Sequence, residues 1–256
     1  MSEAAPRWTV ADDAPGAVVA ALDPRVRLVL ALAVVATVIA LSSPLALVAA
    51  IALAGALVAL ARLPAGATLR RLMHVEGFLL LLLVLLPFTT PGTPALAFGP
   101  LTASAEGIAR AVGIVLRVNA AVLATFALVG GLEPVHAGRA AARLGVPEKL
   151  VHLFLFAVRY VGVFRAETVR LVEAMRVRGF VAGSNRHTWR SLGNLVGMIL
   201  VRSIERAERV EEAMRCRGYS GRLPHAPATP LAPRDHAFAT ATILALAALL
   251  ALDRLL

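Results

Sequence analysis

Leu28 to Ala61 reads LVLALAVVATVIAL, then Ser42-Ser43-Pro44, then LALVAAIALAGALVALA, without one charged residue. Two continuous apolar runs on either side of a Ser-Ser-Pro turn signal predict a transmembrane hairpin. Each run falls slightly short of the roughly 20 residues a spanning helix needs. Arg25 and Arg27 before the first run and Arg62 after the second extend the reach, because arginine stems lie along apolar surface while their heads reach the interface.

The rest of the chain carries the same signature. Of 256 residues, 59% are hydrophobic and 16% charged, and the mean hydropathy is +0.77. Those values lie outside the range of ordinary soluble domains. A third apolar run spans Gly77 to Phe88 behind Arg70 and Arg71, and a fourth spans Gly107 to Val129. The fourth contains Arg110, Arg117 and Asn119, and polar groups at membrane depth face a bundle or a polar cavity. A fifth run, Ala237 to Leu252, follows the proline-rich connector Leu223 to Pro233. Met1 to Asp23 lacks the basic-then-apolar pattern of a cleaved signal.

Charge sets the orientation. Residues 139–222 hold fifteen arginines and Lys149 against seven glutamates, +9 of the formal net charge of +10. If all four N-terminal runs span, this segment shares one side with Arg25, Arg27, Arg62, Arg70 and Arg71. By the positive-inside rule that side is the cytoplasm. The uncharged stretches Ser42–Pro44 and Thr89–Ser104 are then outside, as is the C-terminus. The expectation is an all-α polytopic membrane protein. It has four transmembrane helices in residues 1–130, a cytoplasmic region with two long helices in 131–222, and a connector with a C-terminal transmembrane helix in 223–256.

Inside the basic segment, Glu148 to Arg178 and Thr188 to Arg217 read as long helices. Arg170–Phe180 and Arg209–Tyr219 align at an offset of 39 residues with seven identities in eleven: RLVEAMRVRGF and RVEEAMRCRGY. Both copies end a helix. Glycine after the last turn readily takes the left-handed conformation, and arginine there meets the negative end of the helix dipole. A cap alone asks for glycine and a cation; it does not obviously ask for Met175 and Met214, two arginines and a following aromatic. A duplicated shape instead points to two equivalent receptors, as a two-fold symmetric partner presents. The docking candidates are Arg178 with Gly179 and Arg217 with Gly218, beside the apolar groups of Met175, Phe180, Met214 and Tyr219. Arginine there can pair bidentately with a carboxylate. Arg176 and Arg215 lie about 200° away around each helix and are expected to face solvent or the other long helix.

Catalytic and metal-binding patterns are missing from the sequence. It holds no Gly-x-x-x-x-Gly-Lys-Ser/Thr, no His-Glu-x-x-His and no Gly-x-Ser-x-Gly, which removes the usual signs of ATP binding, metalloprotease and lipase chemistry. Cys216 is the single cysteine, so no intramolecular disulfide forms. His74 and Glu76 make a weak ligand pair, and His136, His152, His187, His225 and His236 are scattered interfacial or loop residues. No catalytic residue and no metal ligand is assigned. A membrane enzyme and a basic membrane-anchored scaffold remain as alternatives to a transporter subunit.

The entry Asp23-Pro24-Arg25-Val26-Arg27, the Arg159-Tyr160 pair and the stretch Arg202-Ser203-Ile204-Glu205-Arg206-Ala207-Glu208-Arg209-Val210 running into Ala213–Tyr219 resemble the transmembrane T components of energy-coupling factor (ECF) transporters, of the cobalt or nickel CbiQ/NikQ type. The hallmark of that family is two Ala-Arg-Gly-like motifs. Here they stand as Val177-Arg178-Gly179 and Cys216-Arg217-Gly218, each departing at the first position. The resemblance implies a non-catalytic coupling subunit of a cobalt or nickel importer in the bacterial cytoplasmic membrane, N-terminus inside. It implies docking of two ATP-binding-cassette ATPases, which bind ATP and Mg, so that this chain carries no cofactor. A membrane substrate-capture subunit of the CbiM/NikM kind is implied too, together with a small CbiN/NikN-like accessory subunit. The surrounding lipid is a partner and nucleic acid is not.

Overall fold

The computed structural model describes residues 18–63, 65–91, 93–98, 101–219 and 230–255. Met1 to Ala17 and most of the proline-rich connector lie outside these residues, as does Gly92 in the expected external loop. Among the described residues are eight helices: α1 Pro24–Ala40, α2 Pro44–Leu60, α3 Ala65–Thr89, α4 Ala105–Val129, α5 Pro134–Arg143, α6 Glu148–Val177, α7 Arg186–Cys216 and α8 Pro233–Leu255. They fall into two compact units, one from residues 1–140 and 230–256, the other from 141–229.

The all-α expectation needs one amendment. Within the uncharged stretch expected as a loop, β1 Pro94–Phe98 and β2 Leu101–Ser104 pair antiparallel. The turn signal for this hairpin, Gly99-Pro100, stands in the sequence. A second difference is the start of α3, which begins at Ala65 and so includes Arg70 and Arg71. The short helix α5 was not anticipated either.

Prolines set the starts of the first hairpin. Pro24 and Pro44 each occupy the first turn, where a missing N–H costs nothing and φ is already helical. The Asp23 carboxylate accepts from the Arg25 N–H at 2.8 Å and caps α1. In α4 the Ser104 hydroxyl accepts from the Gly107 N–H at 3.1 Å and donates to the Thr90 carbonyl at 2.7 Å. That serine ties the end of α3 to the start of α4. A methyl group on Gly107 would lie 2.8 Å from the Pro87 Cα and 2.9 Å from the Leu86 carbonyl, so only glycine fits this approach.

Alanines form the contact faces of α2 and α4 in the core of this unit. Ala46, Ala50 and Ala54 on α2 and Ala120, Ala124 and Ala127 on α4 are all at most 2% exposed. Spacings of four put Ala46, Ala50 and Ala54 on one face, as they do Ala120 and Ala124. Small-residue faces let helix backbones approach closely, the packing that works where lipid removes any hydrophobic drive between helices. Leu30, Val34 and Val38 of α1, Leu47 and Leu57 of α2, Leu128 of α4, and Leu246 and Leu249 of α8 belong to the same core. The opposite faces are apolar too: Leu32 is 71% exposed, Ile39 64% and Leu244 70%. Helices apolar on every side need an apolar surrounding.

Polar contacts lie at the two ends of the bundle and fix helix directions. At one end the buried Arg27 donates from Nε to the Leu128 carbonyl at 2.7 Å, closing the last turn of α4. At the same end Asp235 of α8 accepts from the Asp23 N–H at 3.0 Å. At the other end Arg117 donates to the Leu41 carbonyl at 2.6 Å, and Asp253 accepts from the Ser42 and Ser43 N–H groups at 2.9 and 2.6 Å. Helix α1 therefore runs antiparallel to α4 and parallel to α8. Ser43 supplies no side-chain cap of its own, and Asp253 takes that role for α2. Asn119 donates to the Val115 carbonyl of its own helix. By length and composition α4 and α8 are long and apolar enough to cross a membrane.

Candidate docking site at two helix ends

In the second unit α6 and α7 are 30 and 31 residues long, each about 45 Å at 1.5 Å per residue. Asn185 starts α7 by accepting from the Thr188 N–H at 2.8 Å, and the Thr188 hydroxyl accepts from the Gly183 N–H at 3.1 Å. On the far half of α7, exposed Arg209–Glu205 and Arg215–Glu211 pairs run along the helix surface, in the acid-first order that suits a solvated helix. Arg215 thus pairs on its own helix, as an outward-facing group does.

Both helices end in the same backbone structure. After α6, the Phe180 N–H donates to the Met175 carbonyl at 3.0 Å and the Gly179 N–H to the Arg176 carbonyl at 3.0 Å. After α7, the Tyr219 N–H donates to the Met214 carbonyl at 3.0 Å and the Gly218 N–H to the Arg215 carbonyl at 2.9 Å. Each set is a Schellman motif, with the glycine in the left-handed region: φ is +83° at Gly179 and +80° at Gly218.

This cap uses more of the motif than the sequence reading allowed. The Schellman motif favours an apolar contact between the residue three before the cap and the one two after it, here Met175 with Phe180 and Met214 with Tyr219. Those four are the only partly buried residues of Glu173–Phe180 and Glu212–Tyr219; all others are exposed. Capping therefore accounts for methionine, glycine and aromatic together. The cation that suits the helix dipole is already supplied by Arg176 and Arg215 in the last turns, which leaves over Arg178 and Arg217 at the cap position itself, with their side chains at the surface.

Of the other residues singled out, His152 lies buried near the start of α6 and is not in a loop. The His74 side chain lies outside the description. Among the described residues, no three His, Cys, Asp or Glu side chains are grouped as metal ligands.

A family profile described as cobalt transport protein, CbiQ, matches residues 16–227. The chain belongs to that family. Its relatives include the energy-coupling factor transporter transmembrane protein EcfT of Acidaminococcus fermentans, 27% identical over 212 residues that cover 78% of each chain. The cobalt transport protein CbiQ of Rhodobacter capsulatus is 28% identical over 46% of this chain and 48% of its own length. A putative ABC transporter ATP-binding protein of Bifidobacterium longum is 29% identical over 90% of this chain but only 31% of its own length. The chain thus spans about a third of that relative and about four fifths of the Acidaminococcus one. This is a member of the T-component family of membrane transporters, and both caps fall inside the matched region.

Proposed function

We propose that the chain is the coupling subunit of an ECF importer for cobalt or nickel ions. In this reading Arg178 and Arg217 each dock into one of two ATPase subunits. The observation that carries it is the pair of identical caps, each presenting one exposed arginine that the cap does not use. A guanidinium on a helix end offers a planar fork of donors to a carboxylate, and the fixed fork loses less freedom per hydrogen bond than an ammonium does. The Bifidobacterium relative supports an ATPase partner, since its name describes an ATP-binding protein and the part matched here is a minor share of a longer chain. ATP and Mg belong to those partners, and the catalysis with them.

The same reading places α1, α2, α3, α4 and α8 across the bacterial cytoplasmic membrane with the N-terminus inside. Asp235 and Asp253 bracket α8 eighteen residues apart, about 27 Å of helix, against a hydrocarbon core of roughly 30 Å. An α1 antiparallel to α4 and parallel to α8 fits a chain that crosses four times, works inside and crosses again. Arg25, Arg27 and Arg62 then lie on the cytoplasmic side. ATP-driven closure of the ATPases moves the two helix ends, and the long helices pass that movement as a rigid-body shift to a membrane substrate-capture subunit that selects the ion, with a small accessory membrane subunit beside it. Cobalt stands first because the family description names it.

The test is uptake of labelled cobalt and nickel by cells expressing the whole transporter with Arg178→Ala and Arg217→Ala combined. Uptake is expected to fall to background while the protein still inserts in the membrane. Unchanged uptake sinks the docking assignment.

A further inference from the structure

Helices α6 and α7 touch at a short crossing, and three pairs of residues that line it stand at the same 39-residue offset as the caps. The cleft there has a volume of about 240 Å³; Val163, Phe164 and Glu167 of α6 and Arg202, Ser203 and Arg206 of α7 line it, and α7 alone adds Ile199, Glu205 and Arg209. Shifted by 39, the first three become the second three. Glu167 stands eleven residues before Arg178, and Arg206 eleven before Arg217. Each arm from crossing to docking arginine is therefore about 16 Å of helix. The two helices form a pseudo-two-fold crossing with equal arms.

In such a crossing, contacts come in pairs: if residue i of one helix meets j of the other, their equivalents meet in reverse. Glu167 is ion-paired with Arg202. Its reverse is Val163 with Arg206, and both of those line the same cleft. Only one of the two equivalent contacts can be ionic. Its acid is the more sheltered partner, 21% exposed against 51% for Arg202, and it also holds Arg170 at 3.5 Å. An exposed ion pair normally contributes little to stability. Here it sits where few other groups fix the angle between two long levers, so a small local displacement becomes a large one at the caps.

We propose that the Glu167–Arg202 pair is the pivot of the crossing, a positioning contact that sets the angle between the two docking arms and so their separation in the resting transporter. Its link to transport rests on the docking reading above; its effect on arm separation does not. The lone Cys216 and its equivalent Val177, 89% exposed, provide matched probe sites one residue before each docking arginine. The full chain with Val177→Cys, spin-labelled at both positions and purified with its transporter partners, gives the distance between the arms by pulsed electron paramagnetic resonance.

A single narrow distance distribution is expected, broadened in Glu167→Gln. The exchange Glu167→Arg with Arg202→Glu restores the narrow distribution. So does Val163→Glu with Glu167→Val, which moves the carboxylate to the equivalent contact opposite Arg206. Recovery in either double variant rules out misfolding as the cause. In cysteine-bearing but unlabelled transporters, Glu167→Gln is expected to leave ATPase binding intact and to lower ion uptake per ATP about fivefold, the factor carried by ~1 kcal/mol of coupling. An unchanged distribution in Glu167→Gln, or no recovery in both double variants, overturns the pivot. A broadened distribution with unchanged uptake leaves the pivot standing and counts against the docking arms as the route of coupling.

Discussion

The two units of this chain solve opposite problems with the same kind of helix. In the first, the backbones of α2 and α4 meet through alanine faces, polar ties gather towards the ends, and apolar side chains also cover the outer faces. In the second, two longer helices meet at one crossing and leave nearly all their surface uncovered, including Val177 at 89% and Trp189 at 70% exposure. The first is held by area and close fit, the second by a few directional contacts. A bundle packed through small residues is hard to shift, while a crossing fixed by an ion pair and two caps can transmit a displacement.

That contrast predicts how substitutions divide. The largest effect is expected in the alanine core: Ala124→Leu drives a branched side chain into a position with no exposed surface, where overpacking costs about 1–3 kcal/mol. A thermal melt of the purified protein in detergent should fall accordingly, with the caps on α6 and α7 unaffected. Equal melting temperatures for Ala124→Leu and the parent would mean that α2 and α4 do not pack through these faces.

Asp253→Ala comes next. It removes the acceptor for the Ser42 and Ser43 N–H groups and so the only side-chain cap described for α2, a smaller loss than the overpacking because the carboxylate is open to water. The same melt reads it, and Asp253→Asn should recover part of the loss because its carbonyl still accepts. The smallest effect belongs to the second unit. Gly179→Ala puts a Cβ at φ +83°, for about 1 kcal/mol. Since nothing else packs on that turn, the loss should appear as faster amide exchange at Phe180 and leave the melt of the first unit in place. Gly218→Ala should do the same at Tyr219. A fall in the melt of the first unit instead would end the separation between the two regions.

How much of this was legible in the sequence follows the same division. The long helices were, because Pro147 opens one and glycines close both, and α6 spans Glu148–Val177 against an expected Glu148–Arg178. The repeat was legible because it is local. The inward faces of α1 and α2 were not: runs apolar on every side carry no period that marks a face, whereas α4 has Arg110, Arg117 and Asn119 to orient it. Nor were the polar ties, since Asp23 to Asp235 and Ser42 to Asp253 join residues more than 200 apart. At the site, the repeat marks the residues in the sequence, while their share in the cap depends on backbone bonds that the sequence does not display. Methionine and aromatic belong to the Schellman geometry, which is visible only once the backbone bonds are drawn, and the motif's surplus narrows to one arginine per copy. The offset of 39 is plain in the caps, where residues are identical, and hidden at the crossing, where the equivalent residues are Glu167 and Arg206.

The central claim is that those two arginines, and not the apolar groups around them, hold the ATPases. Co-purification tests it most directly: tagged chain is isolated from membranes with its transporter partners, and the ATPase recovered per chain is measured for Arg178→Ala with Arg217→Ala and, separately, for Met175→Leu with Met214→Leu. The account predicts ATPase lost from the arginine variant and retained at the parental level by the methionine variant. Full recovery of ATPase with both arginines removed would contradict it.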